Sequence, residues 1–384
     1  MKTTALKEKI CCVLLSIAIV YDVFQKSMIK YLVQLPGNLN LIILLCCFMI
    51  SFPLSINRKR ISSYAIYFIG LIIGFISYTN SGSRILLSTL IVAFCTTVID
   101  ETKMIKVFRY SLLVAVTIVF VLNLIGLLPV IKTYYRASDY SFRYTFGFTH
   151  PNVFSCYLLA LVFSFYYGNN KNQVDNLKEW VPCIMGGILM YLFARSFTAS
   201  IVIVSFVVIN IIIVRKNMIS FLTRHKKSWI GCILLTIVIM IYLILKTAST
   251  TSSVSFLSEF GSTAASRLSM ANRALNDYGT SLLGQRIETV SSLTVDMENY
   301  NYYMIDCLYV LLPIRDGIIA SLFMLGCIAQ TIVISGKKNR TISIVIIILM
   351  LVYSIMESGF TFLCFGYVFV PVFGHLFNEE RLKE

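Results

Sequence analysis

The chain reads as an all-α, polytopic integral membrane protein of about twelve transmembrane helices with one large extracytoplasmic loop. Three observations predict this. Hydrophobic residues fill 58% of the 384 positions and charged residues only 13%, against roughly 25% charged in soluble domains. Mean hydropathy is +0.81. The apolar residues fall into successive runs, mostly near the about 20 residues a helix needs to cross the hydrocarbon core, and short basic clusters separate them. Lipid offers no partner to backbone N–H and C=O groups, so such runs have to fold as helices.

In chain order the predicted spans are 10–33, 39–56, 61–79, 85–99, 107–130, 148–168, 180–195, 198–214, 229–246, 306–335, 341–357 and 360–377. Asp22, Gln25, Lys26 and Lys30 interrupt the first. That run lacks a small-residue cleavage site and further spans follow it, so it reads as a retained anchor and not as a signal peptide. With Lys2, Lys7 and Lys9 on the cytoplasmic side, an alternating trace puts five basic clusters inside. They are Arg58-Lys59-Arg60, the group Lys103, Lys106 and Arg109, Arg215-Lys216, the group Arg224, Lys226 and Lys227, and the group Lys337, Lys338 and Arg340. This satisfies the positive-inside rule. An odd number of spans would turn the 215–228 cluster outward, so an even count with both termini cytoplasmic is expected. The chain is then a single cytoplasmic-membrane domain, 1–384.

The same trace explains the net charge of +15 without nucleic acid, because the basic residues lie between apolar runs and not on one soluble face. The 11 cysteines lie in or beside apolar runs and show no Cys-x-x-Cys spacing. They read as small apolar packing residues, not as a disulfide framework or zinc site.

Three polar regions stand out: an outward loop at 131–147, an inward one at 215–228, and an outward island at 247–305. Within the island, Ser249 to Ser258 is rich in Ser and Thr and reads as irregular. Ser262 or Thr263 then caps a helix running to about Asn276, which Tyr278-Gly279 ends. Its stripe of Leu268, Ala271 and Leu275 suits a helix lying on the membrane surface. Arg267 and Arg273, six residues apart, stand about 120° from each other at about 100° per residue. They flank one groove without stacking. Ser281-Leu-Leu-Gly284-Gln-Arg286 follows, and Tyr300-Asn-Tyr-Tyr-Met-Ile-Asp306-Cys-Leu-Tyr309 leads into the next span.

The chain carries no Walker A sequence, no Gly-x-Gly-x-x-Gly fingerprint and no Asp-x-Asp pair. ATP-driven transport and cytoplasmic sugar-nucleotide transfer therefore lose ground. The chemistry-bearing residues gather on the outward side. Arg143-Tyr-Thr-Phe-Gly147-Phe-Thr-His150-Pro151-Asn152 leads into a span, with Pro151 suited to a first helical turn. An arginine, an imidazole and an amide thus meet at a helix N-terminus, which favours an anion. Of three histidines, His150 alone is placed for outward acid–base work. Arg195, between two spans, is a charge in apolar surroundings, where charges are expensive and usually functional. Asp306 is either a helix cap or a carboxylate placed to take a proton. Arg315 and Asp316 interrupt one span and pair with each other or with Glu357.

The Gly-Phe-x-His-Pro-Asn run at 147–152, the Arg-Ser-x-Thr step at 195–198, the outward loop with spaced arginines and a Leu-Leu-Gly, and the Asp-x-x-Tyr opening at 306–309 form one pattern. It resembles the Wzy-type polymerases of the O-antigen polymerase and ligase superfamily. The resemblance covers most of the chain as topology and rests on short motifs. It implies a GT-C-like helical membrane glycosyltransferase that joins undecaprenyl-pyrophosphate-linked oligosaccharide repeats on the outer face of the membrane. Related ligases place a histidine near the end of the large loop. Asp306 stands there in this chain, which favours polymerase over ligase.

On that reading a sugar hydroxyl of one lipid-linked repeat attacks the anomeric carbon of the growing glycan, and the pyrophosphate leaves with inversion. Arg143, Arg195, Arg267, Arg273 and Arg286 are the candidates to hold the pyrophosphate. Asn152 and Tyr309 join them as substrate-binding candidates. Asp306 is the first candidate base and His150 the second. Alanine at Arg286 or Arg195 is expected to stop polymerisation. No cofactor is called for, since the donor is already activated. The implied partners are lipid-linked glycans, the bilayer, a chain-length regulator and a flippase. Two rivals share the substrate: a lipid-linked oligosaccharide flippase or polysaccharide transporter, and an O-antigen ligase-like transferase.

Overall fold

The computed structural model describes residues 2–55, 61–129, 132–134, 142–168, 177–216, 262–289 and 303–378, together with Gly231 and Val238. Most of the predicted span 229–246, the Arg224, Lys226 and Lys227 cluster, the Ser249 to Ser258 stretch, and Tyr300 and Tyr302 lie outside these residues.

The protein is mostly helical. The N-terminal part comprises α1 (Lys2–Gln25), α2 (Ile29–Val33), α3 (Leu39–Ser55), α4 (Ile61–Ser81), α5 (Ile85–Phe94) and α6 (Glu101–Leu124). A hairpin of β1 (Lys132–Tyr134) and β2 (Phe142–Tyr144) follows, antiparallel, with Thr133 opposite Arg143. Then come α7 (Pro151–Ser164), α8 (Leu177–Ile188), α9 (Phe197–Lys216), the island helix α10 (Ser262–Tyr278), the short α11 (Leu308–Leu311), α12 (Ile318–Lys337), α13 (Thr341–Tyr353) and α14 (Val370–Asn378).

Among the described residues, three helices are long and apolar enough to cross a membrane, Tyr64–Ser81, Glu101–Leu124 and Ile318–Lys337, and shorter apolar helices accompany them. Large apolar side chains remain uncovered along them, such as Ile72 at 59%, Ile201 at 63% and Leu322 at 64% exposure. So much bare apolar surface suits lipid and not water. Inside the apolar helices, hydroxyls bond back to the carbonyl one turn earlier, as Ser51 does to Cys47 and Thr331 to Cys327. This satisfies a polar group where no solvent reaches it. The ten described cysteines are free, and most are buried.

Helix starts follow local chemistry. The Asp100 carboxylate accepts the Thr102 N–H at 3.0 Å and caps α6. His150 caps α7, its Nδ1 accepting the Asn152 N–H at 3.1 Å, with Pro151 in the first turn. At the start of α6, Glu101 binds Lys338 at 2.6 Å and also Arg340, while Lys103 binds Glu8 at 2.7 Å. Three segments predicted to be cytoplasmic therefore meet at one end of the bundle. The far end of α6 meets the 145–150 turn, where a side chain on Gly147 would touch Val119 and Asn123.

That second end is where the helices break, and four expectations are corrected there. The hairpin is an exception to an all-α chain. The span predicted at 10–33 stops at Gln25 and resumes at Ile29, because Met28 N–H turns to the Gly147 carbonyl at 2.8 Å and the Lys26 carbonyl turns to Thr149. The span at 306–335 is interrupted by a π-helical turn, Leu312–Asp316, and by Gly317 at φ +98°. A Cβ on Gly317 would stand 2.5 Å from the Gly284 nitrogen, so glycine is what lets the island backbone dock there. The island helix does not rest on lipid through its stripe. Ala271 and Ala274 are buried against Tyr303, Ile305, Cys307 and Val310, and Leu275 packs beside them. The Leu268 side chain lies outside the described residues.

Candidate functional site

Broken helices release backbone carbonyls, and membrane proteins accept such breaks where other groups take up the freed acceptors. Here two arginines do so. Arg143, on β2, donates from Nε to the Ala194 carbonyl at 3.0 Å and from Nη2 to Asn152 Oδ1. Arg267, on the island helix, donates from Nη1 to the Met356 carbonyl. Between them lies one polar chain. Asn152 Nδ2 donates to Glu357 Oε1 at 2.8 Å, Arg267 Nη2 donates to the same oxygen at 2.7 Å, and Arg267 Nε stands 3.4 Å from Asp306 Oδ2. Five segments distant in sequence thus converge on two carboxylates and two guanidiniums. Their side chains are largely buried: Arg267 is 13% exposed, Glu357 9% and Asp306 20%.

His150, Asp306 and Glu357 all sit outside the apolar helices: α7 begins at Pro151, α11 at Leu308, and α13 ends at Tyr353. Burial raises Asp306 above the ordinary carboxylate range against the opposing pull of Arg267. Burial likewise pushes Glu357 up to about 7, Arg267 opposing and the like charge of Asp306 assisting. Arg267 attracts both carboxylates, yet the loss of water outweighs it. Burial acts against the Arg267 charge as well, but Glu357 and Asp306 together overcome this and raise it. The arginine stays charged between the two carboxylates.

The structure brings together Arg143, His150, Asn152, Arg267 and Asp306 from among the residues singled out in the sequence. Arg195 lies beside them: it follows Ala194, whose carbonyl Arg143 holds, and has φ +46°. A left-handed non-glycine residue stores strain of the kind found at functional sites. The roles of some residues change. Asp306 is not a helix cap; α11 starts after Cys307, with no side-chain cap bond. His150 is a poor base, because burial, reinforced by the charges of Arg143 and Arg267, pushes it down to about 3. It is neutral and its Nδ1 is already engaged.

Three candidates fall elsewhere. Arg273 is 67% exposed, pairs with Asp277 at 3.4 Å and lies 5.2 Å over the Tyr303 ring. Arg286 is exposed. The Tyr309 hydroxyl donates to the Leu351 carbonyl at 2.7 Å, which ties α11 to α13. Arg315 pairs with Asp316 at 2.8 Å and leaves Glu357 to Arg267. Glu357 is the member that sequence reasoning passed over as a site residue. Its signal was a lone carboxylate between two apolar runs. Comparisons with protein-family models, with curated proteins and with solved structures find no match for this chain.

Proposed function

We propose that this chain is a membrane glycosyltransferase, a polymerase of lipid-linked oligosaccharide repeat units at the outer face of the cytoplasmic membrane. The observation that carries the reading is the Asp306, Arg267 and Glu357 cluster, where an island helix seals buried carboxylates at the mouth of broken helices. A general base needs a pKa raised toward the working pH and a guanidinium near the developing negative charge. Both features occur here. The Wzy-type resemblance supplies the substrate class, undecaprenyl-pyrophosphate-linked glycans, and the GT-C-like architecture, while the apolar runs and basic clusters supply about twelve spans with both termini cytoplasmic. A chain-length regulator and a flippase are the partners it brings.

In this mechanism the acceptor hydroxyl gives its proton to Asp306, the more exposed of the two carboxylates. Its oxygen bonds to the anomeric carbon, and the bond from that carbon to the diphosphate oxygen breaks. The electron pair leaves on the diphosphate, and the anomeric configuration inverts. Glu357, bonded to Asn152 and Arg267, positions the guanidinium that faces Asp306. Arg143 holds Asn152 and the turn before Arg195 in register.

The test is deletion of the gene, followed by comparison of surface glycan length with the lipid-linked pool, complemented by wild type and by Asp306→Asn. Loss of long chains with outward-facing single repeats accumulating, rescued by wild type alone, supports the polymerase. Accumulation of inward-facing repeats makes the chain a flippase or transporter. Normal polymer that fails to reach its final acceptor makes it a ligase.

A further inference from the structure

The first span breaks at Lys26, and the cluster just described leaves that break unused. Its backbone is pinned by the 147–149 turn: Met28 N–H bonds to Gly147, and Thr149 bonds through its N–H and hydroxyl to the Lys26 carbonyl. The Lys26 side chain is exposed although segments pack around it. Its ammonium lies 5.0 Å over the Phe362 ring and has no hydrogen bond or ion pair among the described residues. One turn earlier the Asp22 carboxylate is taken by the Tyr157 hydroxyl at 2.6 Å. Asp22 still attracts Lys26, while the like charges of Arg315, Lys30 and Arg84 also bear on it. Arg84 reaches across to the Gly37 carbonyl, next to the Pro36 carbonyl that Gln25 holds at 3.0 Å, and Arg315 reaches Asp316, whose carbonyl accepts from Ser77 on α4 at 2.8 Å, so the three segments meet. Four cations therefore share two carboxylates, Asp22 and Asp316, an excess of two positive charges.

Arg84 precedes α5, and an apolar groove lies between α3, α4 and α5. It has a volume of about 310 Å³ and is lined by Leu45, Phe48, Phe75, Leu87 and Ile91 among others. Leu87 and Ile91 lie three and seven residues beyond Arg84, about 4.5 and 10 Å along the helix axis. A doubly anionic head and an apolar tail match this pairing of charge and groove. The Arg267 cluster does not offer the same excess of positive charge, since its two guanidiniums, Arg143 and Arg267, are matched by two carboxylates, Glu357 and Asp306.

We infer that Lys26, Arg84 and Arg315 bind the diphosphate of a polyprenyl-diphosphate lipid, with its first isoprenoid units in the groove between α3, α4 and α5. This rests on the reading above that the substrates are lipid-linked diphosphates. It gives the diphosphate a seat apart from the carboxylates that handle the proton.

The test is binding to the full chain in phosphatidylcholine nanodiscs, with farnesyl diphosphate and inorganic pyrophosphate as probes and phosphatidylglycerol as competitor. Farnesyl diphosphate should bind more tightly than pyrophosphate. Lys26→Gln should weaken it at least about tenfold, the loss of one charge-assisted contact, and Lys26→Arg should restore it. Leu87→Trp should weaken farnesyl diphosphate and leave pyrophosphate unchanged, while Asp306→Asn should bind both as wild type does. Equal affinity of Lys26→Gln and wild type overturns the site. So does equal affinity for the two probes, which indicates a free-phosphate site, or full competition by phosphatidylglycerol, which indicates a general headgroup site. Tight, Lys26-dependent binding in a protein whose deletion leaves polymer length normal keeps this site and sinks the polymerase reading instead.

Discussion

Replacing Arg267 by methionine removes the guanidinium between Glu357 and Asp306 while keeping an unbranched side chain in place. Two ion pairs disappear with it, one at 2.7 Å to Glu357 and one at 3.4 Å to Asp306. At an effective dielectric of about 20 these correspond to roughly 6 and 5 kcal/mol of gross attraction. Desolvation of three buried charges offsets much of this, so a net loss of about 3–5 kcal/mol is expected for breaking the buried group from one side. At about 2.1 cal/mol/K per residue, the 384-residue chain should show an apparent Tm lower by roughly 4–6 °C.

The loss should depend on pH, with a definite sign. Arg267 lowers both carboxylate pKa values in the folded state, so the variant raises them further above their unfolded values. A carboxyl group with a raised folded pKa binds more protons folded than unfolded. Its favourable contribution is present at low pH and fades as pH rises through the folded value. Glu357 already sits at about 7 in the intact protein. The deficit of Arg267→Met should therefore be larger at pH 8 than at pH 5, and Arg267→Met combined with Glu357→Gln should recover at least half of it. Thermal unfolding in nanodiscs, followed by intrinsic fluorescence at both pH values, measures this. An equal deficit at the two pH values, or a double variant no better than the single one, would refute the buried-carboxylate account.

Polymerisation by membranes should fall as pH drops, along an acid limb above the ordinary carboxylate range, because burial raises Asp306. His150→Asn should leave that limb in place, since asparagine can still cap α7 and His150 is already neutral; a limb that moves would return the histidine to the chemistry. Gly317→Ala should destabilise by about 2–4 kcal/mol, combining a left-handed backbone penalty with overlap. The atom it meets is the Gly284 backbone nitrogen, which cannot rotate away. Loss of the island's docking, read as new protease cleavage between 281 and 286, would accompany it. Arg273→Ala should change stability by no more than about 0.5 kcal/mol and leave glycan length unchanged, as an exposed pair with Asp277 implies. Shortened chains would place Arg273 on the substrate path after all.

Much of the helical framework was legible because lipid imposes a single rule on the backbone. The start of α7 followed from Pro151, suited to a first turn, and the bounds of α10 from Ser262 and from Tyr278-Gly279, while α6 starts six residues before the predicted span. Arg143, Asn152, Arg267 and Asp306 were legible one at a time, as polar groups next to apolar runs. Their partnership was not. Glu357 lies 90 residues from Arg267 and 205 from Asn152, and no local pattern encodes a contact at that separation. Arg273 and Arg286 looked equivalent to Arg267 in the sequence. What separates Arg273 is that Ala271 and Ala274 turn α10 onto the 303–314 segment and leave Arg273 at its exposed edge, paired with Asp277, while Arg286 lies exposed beyond the helix.

Composition and periodicity by themselves determined a mostly helical chain whose apolar helices suit a membrane, with polar residues in the segments between them. The tertiary structure alone decided which charges are shared, which guanidiniums are already committed, and that Lys26 is left with its ammonium over the Phe362 ring. The reason is physical. Helix formation in lipid is set by each residue's nearest neighbours along the chain. The environment of a charge is set by whatever the fold brings within a few ångströms of it, from any distance in sequence.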